Sequence, residues 1–136
     1  MWGGAVEELL VLVIEDDLAI QALIDEALCD GGYQPANATS GEEAIALLRD
    51  HQTKYRVLVT DIDLAGMIDG WEVAKVAREI DPTYPVIYMT GTAVDQWPIH
   101  GVPNSVLLAK PFAPAQLVTA ISNLLNVGSP PTTPVE

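Results

Sequence analysis

The chain has one cysteine, one phenylalanine and only six lysines and arginines among its 136 residues. A single thiol, Cys29, excludes an internal disulfide, so packing alone must hold the fold. Cys29 falls on the apolar side of a helical pattern and reads as a small core residue, not a nucleophile. The shortage of positive charge is more telling. Nineteen Asp and Glu leave a formal net charge of −13, which argues against direct nucleic-acid or membrane binding and tolerates a divalent cation. Long apolar runs are missing as well. No segment approaches the roughly 18 apolar residues of a membrane span, and the opening MWGGAVEELL has no basic region or cleavage pattern. These absences give the expectation of a soluble, cytoplasmic protein.

What remains is hydrophobic: 49% of the residues, enough for the core of one domain with little chain left over. Residues 9–14 (LLVLVI) are apolar without alternation, the mark of a strand covered on both faces. They stop at Glu15-Asp16-Asp17, and Ile20, Leu23, Ile24, Ala27 and Leu28 then recur at helical spacing until Gly31-Gly32. Residues 33–38 form a weak strand candidate, and Pro35 suits it to a sheet edge. Ser40-Gly41-Glu42-Glu43 is a capping box that opens a second helix. A buried strand follows at about 56–60, then a Gly-containing loop and a helix capped by Asp69. Residues 85–89 (PVIYM) are another buried strand. The stretch 93–104 holds Pro98, Gly101 and Pro103 and leaves room for two helical turns at most. Residues 105–109 (SVLLA) make the last strand, and Pro114 sits at the first position of the closing helix.

Strand and helix alternate five times, which predicts an α/β fold: one doubly wound, flavodoxin-like five-stranded parallel sheet with helices on both faces and the fourth helix short or irregular. Strand order 2-1-3-4-5 is the common solution at this size. The expected divisions are an N-terminal extension over 1–7, a domain over 8–127 and a proline-rich, disordered tail over 128–136.

In such a sheet the carboxyl ends of the strands share one edge, where ligands bind. Four of the five ends carry a reactive side chain: Glu15 and Asp16, Asp61, Thr90, and Lys110. Each has an ordinary explanation taken singly, as a helix cap, a turn former, a β-former or a solvated loop residue. Four together on one edge are harder to dismiss. At about 4 Å each carboxylate pair costs roughly 1–4 kcal/mol, so a cation belongs among them. Hard oxygen donors suit Mg²⁺, and an ammonium and a hydroxyl opposite suit a phosphoryl group, with Asp61 as nucleophile.

The motifs VLVIEDD, VTDIDL with DGWE, VIYMTG and LLAKPF, in this order and spacing, resemble the receiver domain of two-component response regulators. The resemblance spans about residues 8–127 and is to the stand-alone, single-domain type. It implies that Asp61 accepts a phosphoryl group from a histidine kinase or histidine phosphotransfer protein. It implies a Mg²⁺ held by Asp16, Asp61 and the backbone carbonyl of Asp63, with Glu15 helping through water. Thr90 would be the switch hydroxyl and Lys110 the phosphate contact, before a cis bond to Pro111. Asp63, Gly91 and Thr92 would modulate the lifetime of the phosphoaspartate. Enzymatic activity would be limited to self-phosphorylation and autodephosphorylation, and the output would be a contact with a downstream protein, or the molecule would serve as a phosphoryl shuttle or sink. No DNA-binding output domain is expected after the fifth helix.

The sequence departs from the family pattern in three places. Leu107 stands at the switch position, three before Lys110, where an aromatic is usual. The fourth-helix segment is broken by prolines, and Ala65-Gly66 replaces a common proline in the loop after Asp61. Two other readings compete. Asp61-Ile62-Asp63 also resembles the nucleophile motif of haloacid-dehalogenase-type phosphatases, but Ala65 misfits it and Glu15-Asp16 has no role there. The other is a receiver-like docking module that is never phosphorylated. His51 and His100 show no ligand pattern, and Trp97 reads as packed beneath its loop.

Overall fold

Apolar runs bounded by Gly, Pro and acidic residues become the strands of a parallel sheet in the computed structural model, which describes residues 9–126. The strands are β1 (Leu10–Ile14), β2 (Gln34–Ala38), β3 (Val57–Asp61), β4 (Val86–Thr90) and β5 (Val106–Ala109). Between and after them lie α1 (Leu18–Asp30), α2 (Gly41–Arg49), α3 (Gly70–Ile80), α4 (Trp97–His100) and α5 (Pro114–Leu125), with a 3₁₀ turn at Val94–Gln96 before α4. The sheet order is β2-β1-β3-β4-β5, all parallel, as the alternation predicts. The expected extension over 1–7 and tail over 128–136 lie outside the described residues.

Strand alternation splits the interior into two layers. Val11, Val13, Val57, Val59, Ile87 and Met89 face α1 and α5, where they meet Ile24, Leu28, Leu117 and Ile121. Leu12, Ile14, Leu58 and Tyr88 face the other way and pack with Ala44 and Leu48 of α2 and Val73 and Ala77 of α3. Both faces of β1, β3 and β4 are covered, which is why their sequences run apolar without alternation. Burying each such Val, Leu or Ile contributes about 1.5–3 kcal/mol, so these three strands dominate the hydrophobic term. Pro35 lies on β2, an edge strand, in register with Val11.

The predicted caps at Ser40 and Asp69 are in place, and Asp17 caps α1 in the same way. Asp17 accepts the amides of Ala19 and Ile20, and Asp69 accepts that of Glu72. Ser40 accepts from Glu43 N–H, while the Glu43 carboxylate reaches past the cap to the amide of Thr39. Pro114 opens α5, where Gln116 accepts the amide of Ala113.

Two apolar assignments on α1 need correction. Cys29 is exposed, because Ile24, Ala27 and Leu28 take the buried stripe and Cys29 is turned about 100° past Leu28. Leu23 is 60% exposed for the same reason. No described helix is long and apolar enough to cross a membrane.

Candidate functional site

Three strands deliver three side chains to one rim by alternation alone. Glu15 continues the Val11–Val13 row, Asp61 the Val57–Val59 row, and Lys110 the Val106–Leu108 row, all on the α1/α5 side of the sheet. The result is a closed charge cluster. Lys110 Nζ donates to Glu15 Oε1 at 2.7 Å and to Asp61 Oδ2 at 3.3 Å. Asp16 enters from the loop before α1, and one carboxylate oxygen each from Glu15, Asp16 and Asp61 lie within 4.8 Å of one another. Glu15 and Asp61 are buried, whereas Asp16 is exposed. The Asp16 carboxylate receives no hydrogen bond from the described residues. One ammonium therefore faces three acids.

The imbalance shows in the proton affinities. Burial pushes the Asp61 carboxyl up to about 6; Lys110 pulls it back, and the charge of Glu15 adds to the rise. Burial alone would lower Lys110, but its hydrogen bond to Glu15 and the charge of Asp61 outweigh that and hold the ammonium above its ordinary value. The free acceptor oxygens, all hard, fit a small divalent cation at the mouth of the cluster.

The neighbouring strand end is organised differently. Thr90 shares a row with Val86 and Tyr88, on the face opposite Asp61. Its hydroxyl oxygen accepts the amides of Thr92 at 3.1 Å and Ala93 at 2.8 Å. Asp61 pairs with Met89, the residue just before Thr90, so the two strand ends are adjacent. Asp63 is exposed, and its Oδ2 accepts the Thr92 hydroxyl at 3.1 Å. Gly91 is exposed, and the nearest atom to a side chain placed there would be Lys110 Cβ at 4.0 Å. The Lys110–Pro111 bond is cis. Leu107 is half-buried and in register with Tyr88.

Sequence reasoning gave Gly70 no part, although it shapes the site. A Cβ there would collide with the backbone carbonyl of Asp61, and the Gly70 amide donates to Ile62 O at 2.9 Å. The missing side chain lets the start of α3 press against the end of β3. The signal was present as an N-cap followed at once by glycine, Asp69-Gly70. The rings of Tyr88 and Trp71 have centroids 4.8 Å apart, and Trp71 also lies 5.8 Å from the His100 ring. An apolar groove of about 400 Å³, lined by Ile20, Leu23, Phe112 and Leu117 among others, opens beside Lys110.

Comparison with known proteins matches residues 11–122 to the response regulator receiver domain family. The chain is similar to the response regulator receiver protein CpdR of Brucella abortus, with 33% identity over 117 residues, 85% of this chain and 95% of that protein. It is also similar to ycf29 of Porphyra purpurea, 32% identical over 119 residues, 85% of this chain. The chain spans only 56% of ycf29. Among solved structures, a response regulator receiver protein from Sinorhizobium medicae superposes with a TM-score of 0.86 at 40% identity, over 89% of this chain and 97% of that one.

Proposed function

The chain belongs to the response regulator receiver domain family, and from that premise we propose that Asp61 accepts a phosphoryl group from a histidine kinase or histidine phosphotransfer protein. The observation that carries this reading is the convergence of Glu15, Asp16 and Asp61 opposite the single ammonium of Lys110.

In the step itself an Asp61 carboxylate oxygen attacks phosphorus in line with the departing imidazole. The P–N bond of the donor breaks, and the imidazole leaves with the bonding pair and takes up a proton. The carboxylate must be ionised to attack, which its affinity near 6 allows at neutral pH. Lys110, which donates to Asp61 Oδ2, would hold a phosphoryl oxygen. Asp16, Asp61 and the backbone carbonyl of Asp63 would hold Mg²⁺, with Glu15 acting through water. Bound there, the ion would offset the repulsion among the acids and the negative charge gathering on the phosphoryl oxygens. Thr90 would offer its hydroxyl to the new anion. Asp63 and Thr92, hydrogen-bonded to each other beside the acceptor, would control the approach of the water that later cleaves the acyl phosphate. Phosphorylation acts by shifting two conformations, for which a coupling of about 1–3 kcal/mol suffices. The output is then a protein contact, or the phosphoryl group passes on to another carrier.

The test is incubation with acetyl phosphate and Mg²⁺ followed by intact mass. A gain of one phosphoryl that disappears in Asp61→Asn is the expected result. No gain would favour an unphosphorylated docking module, and turnover of phosphate monoesters would favour a phosphatase.

A further inference from the structure

The loop from β3 to α3 carries Asp63, whose carbonyl is the backbone ligand proposed for Mg²⁺, yet its own sequence does little to fix it. Residues 62–69 hold no proline, and Gly66 turns through a left-handed φ of 99°. The two ends of the loop are tied. The Thr92 hydroxyl donates to Asp63 Oδ2 at 3.1 Å, and the Gly70 amide donates to Ile62 O at 2.9 Å. Leu64 and Ile68 are half-buried against the core layer of α2 and α3. Among the described residues, the one hydrogen bond made by residues 64–68 runs from the Met67 amide to Glu42 Oε2 of α2, at 3.2 Å. Two glycines make room for it. A side chain at Gly41 would strike Ile68 O, and one at Gly66 would come within 3.2 Å of Glu42 Oε1. Glu42 is not needed at the start of its own helix, where Ser40 and Glu43 supply the cap. Met67 is 93% exposed, so the contact is not a by-product of burying that side chain.

We infer that Glu42 is a positioning residue for the cation site: from α2 it clamps the β3–α3 loop and so holds the Asp63 carbonyl ready for the metal. The inference rests on the reading of Asp16, Asp61 and Asp63 as Mg²⁺ ligands. A carbonyl on a loop that can turn at Gly66 must be ordered when a cation binds, and that ordering subtracts from affinity. By holding the peptide between Gly66 and Met67, the Glu42 carboxylate does the ordering in advance. Its effect therefore falls on affinity for the cation and not on Asp61 as acceptor. The Met67 amide needs only an acceptor oxygen, which the carboxamide of Gln also offers. Attraction of the cation by the negative charge of Glu42 would behave differently, since Gln and Ala both remove that charge.

Calorimetric titration of the intact chain with Mg²⁺ at about pH 8, where the acids are ionised, tests this. Glu42→Ala should raise the Kd for Mg²⁺ about three- to tenfold, and Glu42→Gln should raise it by less than about twofold. With Mg²⁺ at saturation, both variants should gain the same single phosphoryl mass from acetyl phosphate as the natural sequence. An unchanged Kd in Glu42→Ala overturns the clamp. So does an equal rise in the two variants, which would make Glu42 a source of charge alone. Loss of the phosphoryl gain in Glu42→Ala at saturating Mg²⁺ also overturns it, because the residue would then act on Asp61. A natural sequence that binds no Mg²⁺ overturns the metal reading itself, and the clamp with it, before any variant is compared.

Discussion

Asp61 sits in the native fold at a cost. Its carboxyl is raised from 3.8 to about 6, so the folded chain holds that proton more tightly than the unfolded one. Stability contributed by this group is complete below about pH 4 and is lost as pH rises through about 6. Replacing Asp61 with Asn should therefore stabilise the metal-free protein at pH 7 by about 1–2 kcal/mol, after allowance for screening at the open mouth of the site. The gain should vanish near pH 4. Urea unfolding at the two pH values checks this, and a destabilised variant at pH 7 would mean that the carboxylate is not under strain. A second residue-scale prediction concerns Asp63 and Thr92. With Asp61 phosphorylated as proposed, changing both to Ala should alter the lifetime of the acyl phosphate severalfold, as followed by loss of the phosphoryl mass. An unchanged rate would remove them from the hydrolytic step. At this scale the sequence was informative wherever a charged residue ended an apolar run, as at Glu15, Asp61 and Lys110. It misled on Cys29 and Leu23, which are exposed, because a helical stripe is narrower than the set of apolar residues that can be drawn on it.

Elements meet at the rim through glycine and caps. Gly70→Ala would force α3 away from the carbonyl of Asp61 and should cost about 1–3 kcal/mol. Asp69→Ala, which removes the hydrogen bond to Glu72 N–H, should cost only about 1 kcal/mol. Thermal or chemical unfolding of the pair separates close packing from capping; equal costs would mean that the α3–β3 contact relaxes freely. The order and type of the elements were legible because apolar runs and helical spacing alternate cleanly along the chain. Even the shortness of α4 could be read from Pro98, Gly101 and Pro103. The hydrogen bond between Tyr88 and Val102 could not be read, because it joins residues 14 apart across a segment with no regular period.

For the molecule as a whole, charge is the governing quantity. A formal net charge of −13 with three acids gathered at one rim predicts that a divalent cation stabilises the fold. Mg²⁺ at about tenfold above its Kd should add about 1.4 kcal/mol. The increment should shrink as pH falls through about 6, since protons compete for Asp61. Thermal shifts with and without a chelator measure it, and an increment that persists at pH 5 would place the ion elsewhere. The sheet itself adds a consequence of a different kind. Because side chains alternate through a layer one chain thick, Lys110 and its neighbouring groove open toward α1 and α5 while Tyr88 looks the other way, onto Trp71 of α3. On the proposed reading of Asp61, chemistry on the first side and any change felt on the second would be parted by the thickness of the sheet.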